Sequence, residues 1–188
     1  MMQEHWVFGY GSLMWRPGFP FAERRRALLR GLHRRLCIYS HVHRGTPEHP
    51  GLVMGLDRGG ACHGIAYRVM GDAWGTTLAY LREREQVTSV YLEMQRPIAL
   101  DPEAGSAPRR VEAVVYVADR RHPQYAGKLG IEEQLPLVRQ GVGISGACVD
   151  YVRSAAEHIR EMGLRDPLIE GLAARLDDSV MPAGAGIP

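Results

Sequence analysis

The amino-acid sequence predicts an α+β fold, because strand-like segments dominate the first two thirds of the chain and helical patterns the last third. Apolar runs or period-two alternation, bounded by Gly- and Pro-rich turns, occur in six short segments. The six predicted strands are residues 6–8, 35–39, 52–54, 64–69, 90–100 and 112–117. Helical spacing of apolar residues appears at 72–85, at 146–162 and after Asp166. A doubly wound parallel sheet is not expected, since its strands and helices would alternate.

The predicted strands differ in their expected burial, and turn residues define their ends. The segment 112–117 is apolar on both faces, which is typical of a central strand. Between the strands at 52–54 and 64–69 lie Asp57 and the pair Gly59-Gly60. These are turn-forming residues, so we expect the chain to leave one strand and begin another at this point.

Each predicted helix has a start signal. Asp72 is the expected N-cap of the first helix and Ser145 that of the second. Asp166 should cap the third, with Pro167 at the first helical position. Apolar residues at helical spacing should then face the core. These are Cys148, Val152, Ala155 and Ile159 in the second helix, and Leu168, Leu172 and Leu176 in the third.

Length and composition indicate one ordinary globular domain. The chain has 188 residues, 45% of them hydrophobic and 23% charged, which is average for a folded domain. We expect residues 1–178 to form a single domain and the tail, 179–188, to be loosely held, because it is rich in Gly and Pro and has no periodicity. The formal net charge of +2 gives no general attraction to nucleic acid or to an anionic membrane, so neither is an expected partner.

The cysteines and histidines give little indication of disulfides or of a metal site. Cys37, Cys62 and Cys148 are far apart and odd in number, which suits a reducing compartment. Only the thiol of Cys62, beside a turn, is expected to be exposed. His41 and His43 alternate, but no third ligand follows at motif spacing, so no metal is expected. Since neither a signal peptide nor a long apolar run is recognised, we expect a cytoplasmic protein.

The first candidate site is the segment Phe8-Gly9-Tyr10-Gly11-Ser12-Leu13-Met14-Trp15, where the first strand ends. Glycines on both sides of the tyrosine permit positive φ and leave no Cβ in the way of a ligand. Successive backbone N–H groups in such a turn can bind an anion. The segment lacks the Gly-Lys-Ser/Thr of a P-loop and the third glycine of a dinucleotide site. The alternative is a tight strand exit that binds nothing.

Glu85 is the second candidate, because helical spacing places it on an apolar face. Trp74, Leu78 and Leu81 mark that face at i, i+4 and i+7. Glu85 follows at i+11, whereas Glu83 points the opposite way, toward solvent. Burial would raise the pKa of the Glu85 carboxyl toward neutrality, the range useful to a general acid/base. The alternative is that the face ends at Leu81 and that Glu85 reaches water or pairs with an arginine.

Two further features carry weaker functional signals. Tyr151 lies at the margin of the apolar face of the helix at 146–162, where its hydroxyl could face a cleft; packing alone is the alternative. Residues 16–35 hold seven arginines and one acid, and the cluster from Arg24 to Arg35 could meet phosphate or an acidic partner. Because stacking aromatics are missing from this cluster, we interpret it as a solvated face.

Six blocks of sequence, in the same order, resemble one protein family. They are 7–15, 43–51, 64–68, 79–85, 122–127 and 143–146, with Tyr151 after them. The first reads Val7-Phe8-Gly9-Tyr10-Gly11-Ser12-Leu13-Met14-Trp15, and the fourth ends in Arg84-Glu85. Together these blocks resemble the ChaC-like γ-glutamylcyclotransferases, which act on glutathione, and the resemblance covers nearly the whole chain.

The resemblance implies a small, barrel-like mixed sheet with helices packed around it, and no cofactor. It implies that Glu85, which follows an arginine, is the catalytic residue. Substrate-binding residues are implied at the first block and on the late helix, namely Val7, Phe8, Gly9, Tyr10, Gly11, Ser12, Leu13 and Tyr151. One position departs from the family pattern: Ser89 lies where members usually have a glycine before a tyrosine, here Tyr91. This departure bears on the local loop shape and on substrate preference.

The implied activity is cleavage of glutathione, a small-molecule substrate, to 5-oxoproline and Cys-Gly by intramolecular attack of the γ-glutamyl α-amine. Two alternatives stay open. One is a cyclotransferase that acts on other γ-glutamyl amino acids or amines. The other is a non-catalytic regulator of a cation transporter, for which the cluster Arg24–Arg35 would be the docking surface.

Overall fold

The structure, a computed structural model, describes residues 4–86, 88–102, 107 and 109–178. It has the α+β architecture that the sequence predicts. The chain divides into two compact units, one made of Met1–Ile38 and Met54–Gly127, the other of Tyr39–Val53 and Lys128–Pro188. The tail predicted at 179–188 lies outside the described residues.

The sheet is a closed five-stranded barrel, and most of its residues belong to the first unit. Its strands are β1 (Glu4–Gly9), β2 (Glu23–Ser40), β3 (Gly51–Met70), β4 (Tyr91–Leu100) and β5 (Arg109–Ala118). They are arranged in the order β1-β3-β2-β4-β5, with β1 antiparallel to β3 and β4 antiparallel to β5. A parallel pairing of β1 with β5 makes the sheet mixed, as the family resemblance implies. Closure leaves the paired parts of the strands without an open edge.

Apolar side chains from all five strands fill the barrel. Every strand contributes at least one side chain that is almost completely buried, and these include Phe8, Leu29, Tyr67, Ile98 and Tyr116. The segment 112–117, which the sequence predicts as a central strand, lies in β5, and Ala113 to Val117 are all buried. Apolar burial contributes about 25 cal/mol for each Å² of surface removed from water, so these buried side chains are a main source of stability for the first unit.

The prediction that a turn separates the strands at 52–54 and 64–69 is wrong, because β3 runs without a break from Gly51 to Met70. Gly59 and Gly60 adopt positive φ, +97° and +66°, inside this strand. Glycine takes up such a local distortion at little cost, so a glycine pair can bend a strand without ending it. Asp57 is not a turn residue either, since its side chain is 3% exposed and is paired with Arg120.

The arginine cluster does not form one solvated face, and that interpretation is wrong for two of its members. The cluster lies in β2, which begins at Glu23, well before the predicted strand. Arg24 and Arg30 are exposed, whereas the consecutive residues Arg34 and Arg35 are only 7% and 9% exposed. Arg34 donates to the carbonyls of Tyr10 and His63, and Arg35 lies 3.7 Å from Asp57. A buried guanidinium group needs such partners, because an unpaired charge is costly to remove from water.

A helix, α1 (Gly71–Glu85), follows β3 directly in the first unit. It begins one residue earlier than predicted, with Met70 at the N-cap position, so the expectation that Asp72 is the N-cap is wrong. Asp72 instead lies in the first helical turn, where its carboxylate accepts a hydrogen bond from the amide of Ala73 at 3.0 Å. A negative charge there favours the helix through its dipole.

The second unit contains three helices, α2 (Ile131–Gln140), α3 (Cys148–Glu161) and α4 (Pro167–Asp178), and a short pair of strands, β6 (Val142–Gly143) and β7 (Gly146–Ala147). The four apolar residues predicted to form the stripe of α3 are all completely buried. In α4, Asp166 Oδ1 accepts the amide of Ile169 at 3.3 Å, as an N-cap should.

Two predictions about these helices are wrong. Ser145 does not cap α3, because strand β7 intervenes and Ala147 occupies the N-cap position. Leu168 is 52% exposed, and Ile169 takes its place on the buried face with Leu172 and Leu176. Ile169, Leu172 and Leu176 follow each other at i, i+3 and i+7 and so share one face of the helix, from which Leu168 is turned by about 100°.

All three cysteines are free and buried. The prediction that Cys62 is exposed is wrong, since only 3% of it is accessible. Burial raises the pKa of the Cys37 thiol to about 12 and that of Cys148 to about 11, which leaves both as protonated packing groups at neutral pH. None of the described helices is both long and apolar enough to cross a bilayer.

Replacement of Ser89 with glycine should stabilise the protein by about 0.5–1 kcal/mol. Ser89 is exposed and has a φ of +55°, in the left-handed region where a Cβ costs energy and glycine does not. The gain is reduced by the greater entropy that glycine has in the unfolded chain. Urea unfolding would measure it. Ser89→Ala keeps the Cβ and should bring no gain; a destabilised glycine variant would contradict this account.

Candidate active site

The glycine turn after β1 is shaped by close packing rather than by positive φ. A Cβ on Gly9 would lie 3.0 Å from Leu13 Cβ and 3.2 Å from the amide nitrogen of Met14, so the turn has no room for a side chain there. Gly11 has a φ of −121° and precedes a 3₁₀ helix, Ser12–Met14. The positive φ that the glycines permit is therefore not used at Gly11.

The turn presents backbone donors. The amide of Met14 donates to the carbonyl of Gly11 at 2.9 Å, and that of Arg16 donates to Ser12 at 2.8 Å. The preceding amides of Gly11, Ser12 and Leu13 have no acceptor among the described residues, as is usual where a helix begins. An anionic group of a ligand could accept hydrogen bonds from them.

Two buried side chains hold this turn from the barrel side. The hydroxyl of Tyr67, on β3, is within hydrogen-bond distance of the carbonyls of Leu13 (2.9 Å) and Met14 (2.8 Å). The guanidinium of Arg34, on β2, donates to the carbonyl of Tyr10 through Nε and to that of His63 through Nη2 at 2.7 Å. Three carbonyls of the turn, those of Tyr10, Leu13 and Met14, are thus bound by buried side chains of the barrel strands.

Glu85 is the last residue of α1, and its side chain is 17% exposed. Burial raises the pKa of its carboxyl above the ordinary value of 4.5, against the opposing charge of Arg84. Glu83 is exposed, as the helical spacing predicts. The apolar face is less uniform than predicted, because Leu81 is buried while Trp74 and Leu78 are half-buried.

Arg84 connects Glu85 with the turn. Its Nε lies 3.2 Å from Glu85 Oε1, and its Nη2 donates to Ser12 Oγ at 2.8 Å. Its Nη1 donates to the carbonyl of Arg16 at 2.6 Å and to the hydroxyl of Tyr80 at 2.9 Å. One arginine therefore contacts both the carboxylate and the turn, and the two candidate features from the sequence come together in the first unit.

A second acid and a tyrosine lie near Glu85 on the barrel wall. Tyr116 donates its hydroxyl hydrogen to Glu93 Oε2 at 3.1 Å, and Arg82 binds Glu93 through two hydrogen bonds of 2.7 and 2.9 Å. Burial raises the pKa of Tyr116, and the negative charges of Glu93 and Glu85 raise it further. The guanidinium of Arg82 holds the pKa of Glu93 below its usual value. The pKa values of Glu93 and Glu85 are therefore shifted in opposite directions.

Sequence reasoning missed the supporting residues of this site. Tyr67 falls within a block that carries the family resemblance, but nothing in the pattern assigns it a contact with the turn. Arg34 is hidden in the arginine cluster, and Tyr116 is one apolar-looking residue of a buried strand. Their partners are far away in the chain, for example 24 residues between Arg34 and Tyr10, and no periodicity reveals such a pairing.

Tyr151 lies on α3 in the second unit and is 9% exposed. The guanidinium of Arg44 lies over its ring, 5.4 Å from the centroid, and donates to the carbonyl of Ala147 at 3.3 Å. Nearby, His43 Nδ1 lies 2.9 Å from Ser145 Oγ. The blocks at 43–51 and 143–146 that carry the family resemblance are therefore neighbours within this unit.

The described residues contain no group of three His, Cys, Asp or Glu side chains that could hold a metal ion. The site combines one carboxyl of raised pKa, a row of backbone donors and an arginine that contacts both the carboxyl and the turn. Such groups transfer protons and stabilise an oxyanion or a bound carboxylate.

Comparison with known proteins gives a consistent result. The model of the family described as "ChaC-like protein" matches residues 5–178. The glutathione-specific γ-glutamylcyclotransferase of Escherichia coli K12 is 34% identical over 161 residues, which is 86% of this chain and 68% of that protein. Glutathione-specific γ-glutamylcyclotransferase 1 of Danio rerio is 33% identical over 181 residues, covering 94% and 91% of the two chains.

A solved structure agrees at the level of the fold. The crystal structure of a selenomethionine-labelled γ-glutamyl cyclotransferase specific to glutathione, from yeast, superimposes with a TM-score of 0.84 at 20% identity. The match covers 93% of this chain and 96% of the yeast chain. With a family match over most of its length and relatives above 30% identity, the chain belongs to the family of ChaC-like proteins.

Proposed function

We propose that this protein is a γ-glutamylcyclotransferase that cleaves glutathione to 5-oxoproline and Cys-Gly. The names of its relatives in bacteria and fish support the activity and the substrate. The observation that carries the proposal is the buried carboxyl of Glu85, whose pKa is raised and which contacts the glycine turn through Arg84. No cofactor is part of the proposed chemistry.

The reaction is a ring closure within the substrate. The α-amine of the γ-glutamyl group attacks its own γ-carbonyl, a new C–N bond closes a five-membered lactam, and the bond to the cysteinyl nitrogen breaks. The substrate ammonium loses two protons overall as it becomes the lactam N–H, and the cysteinyl nitrogen gains two as it becomes the ammonium of Cys-Gly, so atoms and charge balance without water or an oxidant. Because nucleophile and electrophile belong to one molecule, holding the substrate in a folded shape supplies a large part of the rate.

We assign proton transfer to Glu85. Its carboxylate takes a proton from the substrate ammonium and returns it to the leaving amine, which requires a pKa closer to neutrality than that of an exposed glutamate. The raised pKa that burial produces has the required direction. Arg84 is a positioning residue, since it holds Glu85 on one side and Ser12 on the other.

We assign substrate binding to the first strand and the turn. The donors of Gly11, Ser12 and Leu13 suit the α-carboxylate of the γ-glutamyl group or the oxyanion that forms during ring closure. Val7 and Phe8 are completely buried in β1 and would act by fixing where the turn begins. The remaining residues of the proposed set are Gly9, Tyr10 and, in the second unit, Tyr151.

The proposed location is the cytoplasm. All three cysteines are free thiols, which is what a reducing compartment maintains. Glutathione is also the principal soluble thiol of such a compartment, so enzyme and substrate would occur together.

Incubation of the purified protein with glutathione should release 5-oxoproline and Cys-Gly in equal amounts, as measured by mass spectrometry. With γ-glutamyl-alanine, which lacks the cysteinylglycine leaving group, turnover should be lower by about tenfold or more. Faster cyclisation of γ-glutamyl-alanine would identify a cyclotransferase of different specificity. If high enzyme concentrations released no 5-oxoproline from either substrate, the catalytic proposal would be wrong and the regulator alternative would be favoured.

A further inference from the structure

A cavity of about 670 Å³ lies on the side of the barrel where residues of β2, β3, β4 and β5 and the segment just after β5 meet. None of its lining residues belongs to the set proposed above for catalysis or substrate binding. Its size is within the range of small-molecule sites in proteins. The residues that give it chemical character are Arg58, Arg96, Arg120, Arg121, Leu92 and Met94.

The charge of this cavity is strongly positive. Four arginines line it, and Asp119 is the one acid among the lining residues. Arg121, which is 85% exposed, pairs with Asp119 at 3.3 Å, and Arg120 pairs with Asp57 at 2.6 Å. Among the described residues, no acid pairs with the other two guanidinium groups of the lining, those of Arg58 and Arg96.

Arg96 lacks the contacts that normally hold a guanidinium in place. Its Nε is buried and has no hydrogen-bond partner among the described residues. Its Nη2 lies over Gly31, where an added Cβ would be 3.7 Å away. Leaving a buried donor unpaired costs free energy, so this guanidinium is not held by the hydrogen bonds that usually fix an arginine.

The same strand also offers apolar surface. Leu92, Met94 and Arg96 alternate along β4 and therefore face the same side of the sheet. Leu92 is 41% exposed and Met94 is 38% exposed, and both are large hydrophobic side chains that water contacts in the absence of a ligand. A ligand that covers them must carry an apolar part as well as negative charge.

We propose that this cavity binds a small organic polyphosphate that carries an aromatic ring, of the chemical type of a nucleoside triphosphate. Guanidinium groups bind phosphate oxygens through paired hydrogen bonds, so a cavity lined by several arginines favours a ligand with several phosphate groups. Methionine sulfur and guanidinium planes both make favourable contacts with aromatic rings, so Met94 and the neighbouring arginines favour a ligand that carries such a ring. The site is separate from Glu85 and the glycine turn, and its occupation does not depend on the proposed cyclotransferase activity.

Isothermal titration calorimetry with three probes tests both halves of the proposal. ATP should bind, with an affinity that falls as NaCl is raised, because part of the binding is electrostatic. Inorganic tripolyphosphate carries the charge without the ring and should bind about tenfold more weakly or worse; adenosine carries the ring without the charge and should do likewise. Tripolyphosphate binding as tightly as ATP, or no heat from ATP at millimolar concentration, would overturn the proposal.

Variants locate the bound probe. Arg96→Gln removes the unpaired guanidinium, and Met94→Glu places a negative charge on the apolar floor, so each should weaken ATP binding by about tenfold or more. Arg110→Gln is the matched control, since Arg110 is exposed on β5 outside the cavity and its loss changes the net charge equally. Thermal melts should show all three variants folded. Equal weakening by Arg110→Gln, or none by Arg96→Gln, would place the ATP elsewhere and refute the site.

Failure here and failure of the proposed function are distinguishable. The calorimetry contains no glutathione, and release of 5-oxoproline by Arg96→Gln and Met94→Glu should stay within about twofold of the original protein, because neither residue contacts the proposed reaction site. A protein that binds ATP but forms no 5-oxoproline would refute only the cyclotransferase, and the reverse result would refute only the anion site.

Discussion

Glu85→Gln should reduce 5-oxoproline release from glutathione by about 10²–10⁴-fold, the usual range for loss of a general acid/base. Glutamine keeps the size and the hydrogen-bonding capacity of the side chain but can neither take the proton of the substrate ammonium nor return one to the leaving amine. The measurement is turnover at saturating glutathione. We expect kcat to fall much more than KM changes, since the lost interaction belongs to the transition state.

The fold should survive this substitution. Burial raises the pKa of Glu85, so the folded state disfavours its ionised form. A carboxyl with a raised pKa contributes stability at low pH that is lost as the pH rises through the folded value. At neutral pH, glutamine removes the cost of burying an ionised carboxylate, and it also removes the ion pair with Arg84. Because these two effects oppose each other, the melting temperature should be unchanged or slightly higher. Lost activity with an unfolded protein would leave the catalytic assignment without support.

Glu83→Gln is the matched control for this experiment. Glu83 lies two residues away on the same helix but is exposed. The turnover of the Glu83→Gln variant should therefore stay within about twofold of that of the original protein. The pH profile gives an independent check. If Glu85 is the base, kcat/KM should rise with pH through an apparent pKa above 4.5. Near-normal turnover by Glu85→Gln, or equal losses in both variants, would contradict the assignment.

Features of the structure that depend on local sequence could be predicted. The stripe of α3 is correct at all four positions, because residues at helical spacing share a face whatever the rest of the chain does. The same reasoning separates Glu85 from Glu83. At α4 this reasoning reaches its limit. Leu168 and Ile169 are adjacent and both fit an apolar helical spacing with Leu172 and Leu176, so the sequence pattern alone does not show which of them is buried.

Features that depend on contacts distant in the chain could not be predicted. The glycine turn is recognisable as a segment, but its shape depends on Tyr67, 54 residues from Leu13. Similarly, β3 continues through two glycines because both its halves pair with other strands of the barrel, which the sequence near Gly59 does not reveal. Turn-forming residues permit a turn at this point, but the strand pairing determines the conformation that the backbone adopts.

Asp57→Asn should destabilise the first unit by about 3 kcal/mol, toward the low end of the range for breaking a buried ion pair. Asp57 is 3% exposed and accepts hydrogen bonds from Arg120 at 2.7 Å, Tyr125 at 2.9 Å and the amide of Arg58 at 2.8 Å, with Arg35 at 3.7 Å. Asparagine leaves the buried charge of Arg35 without its anion. The loss is limited because Arg120 is 43% exposed and can turn to water.

Urea unfolding at neutral pH measures this loss as a shift of the midpoint at constant slope. Asp177→Asn is a suitable control. Asp177 pairs with Arg153 at 2.7 Å, but the Asp177 side chain is 64% exposed. Exposed ion pairs contribute less than about 1 kcal/mol to stability. A loss for Asp57→Asn no larger than that of the control would show that burial of the pair has no energetic consequence.

The pH dependence of stability gives the same argument a second test. Burial by itself would raise the pKa of Asp57, but the hydrogen bonds from Arg120, the Arg58 amide and Tyr125 outweigh it and hold the pKa below 3.8. A carboxyl with a lowered pKa adds stability above its unfolded value, and that stability disappears as the pH falls through the folded value. The difference in unfolding free energy between the original protein and Asp57→Asn should therefore be constant near neutrality and shrink below about pH 4. A difference that grew on acidification would mean that the folded protein stabilises the protonated form of Asp57. The hydrogen bonds around Asp57 would then involve a neutral acid, which contradicts the ion pairs with Arg120 and Arg35.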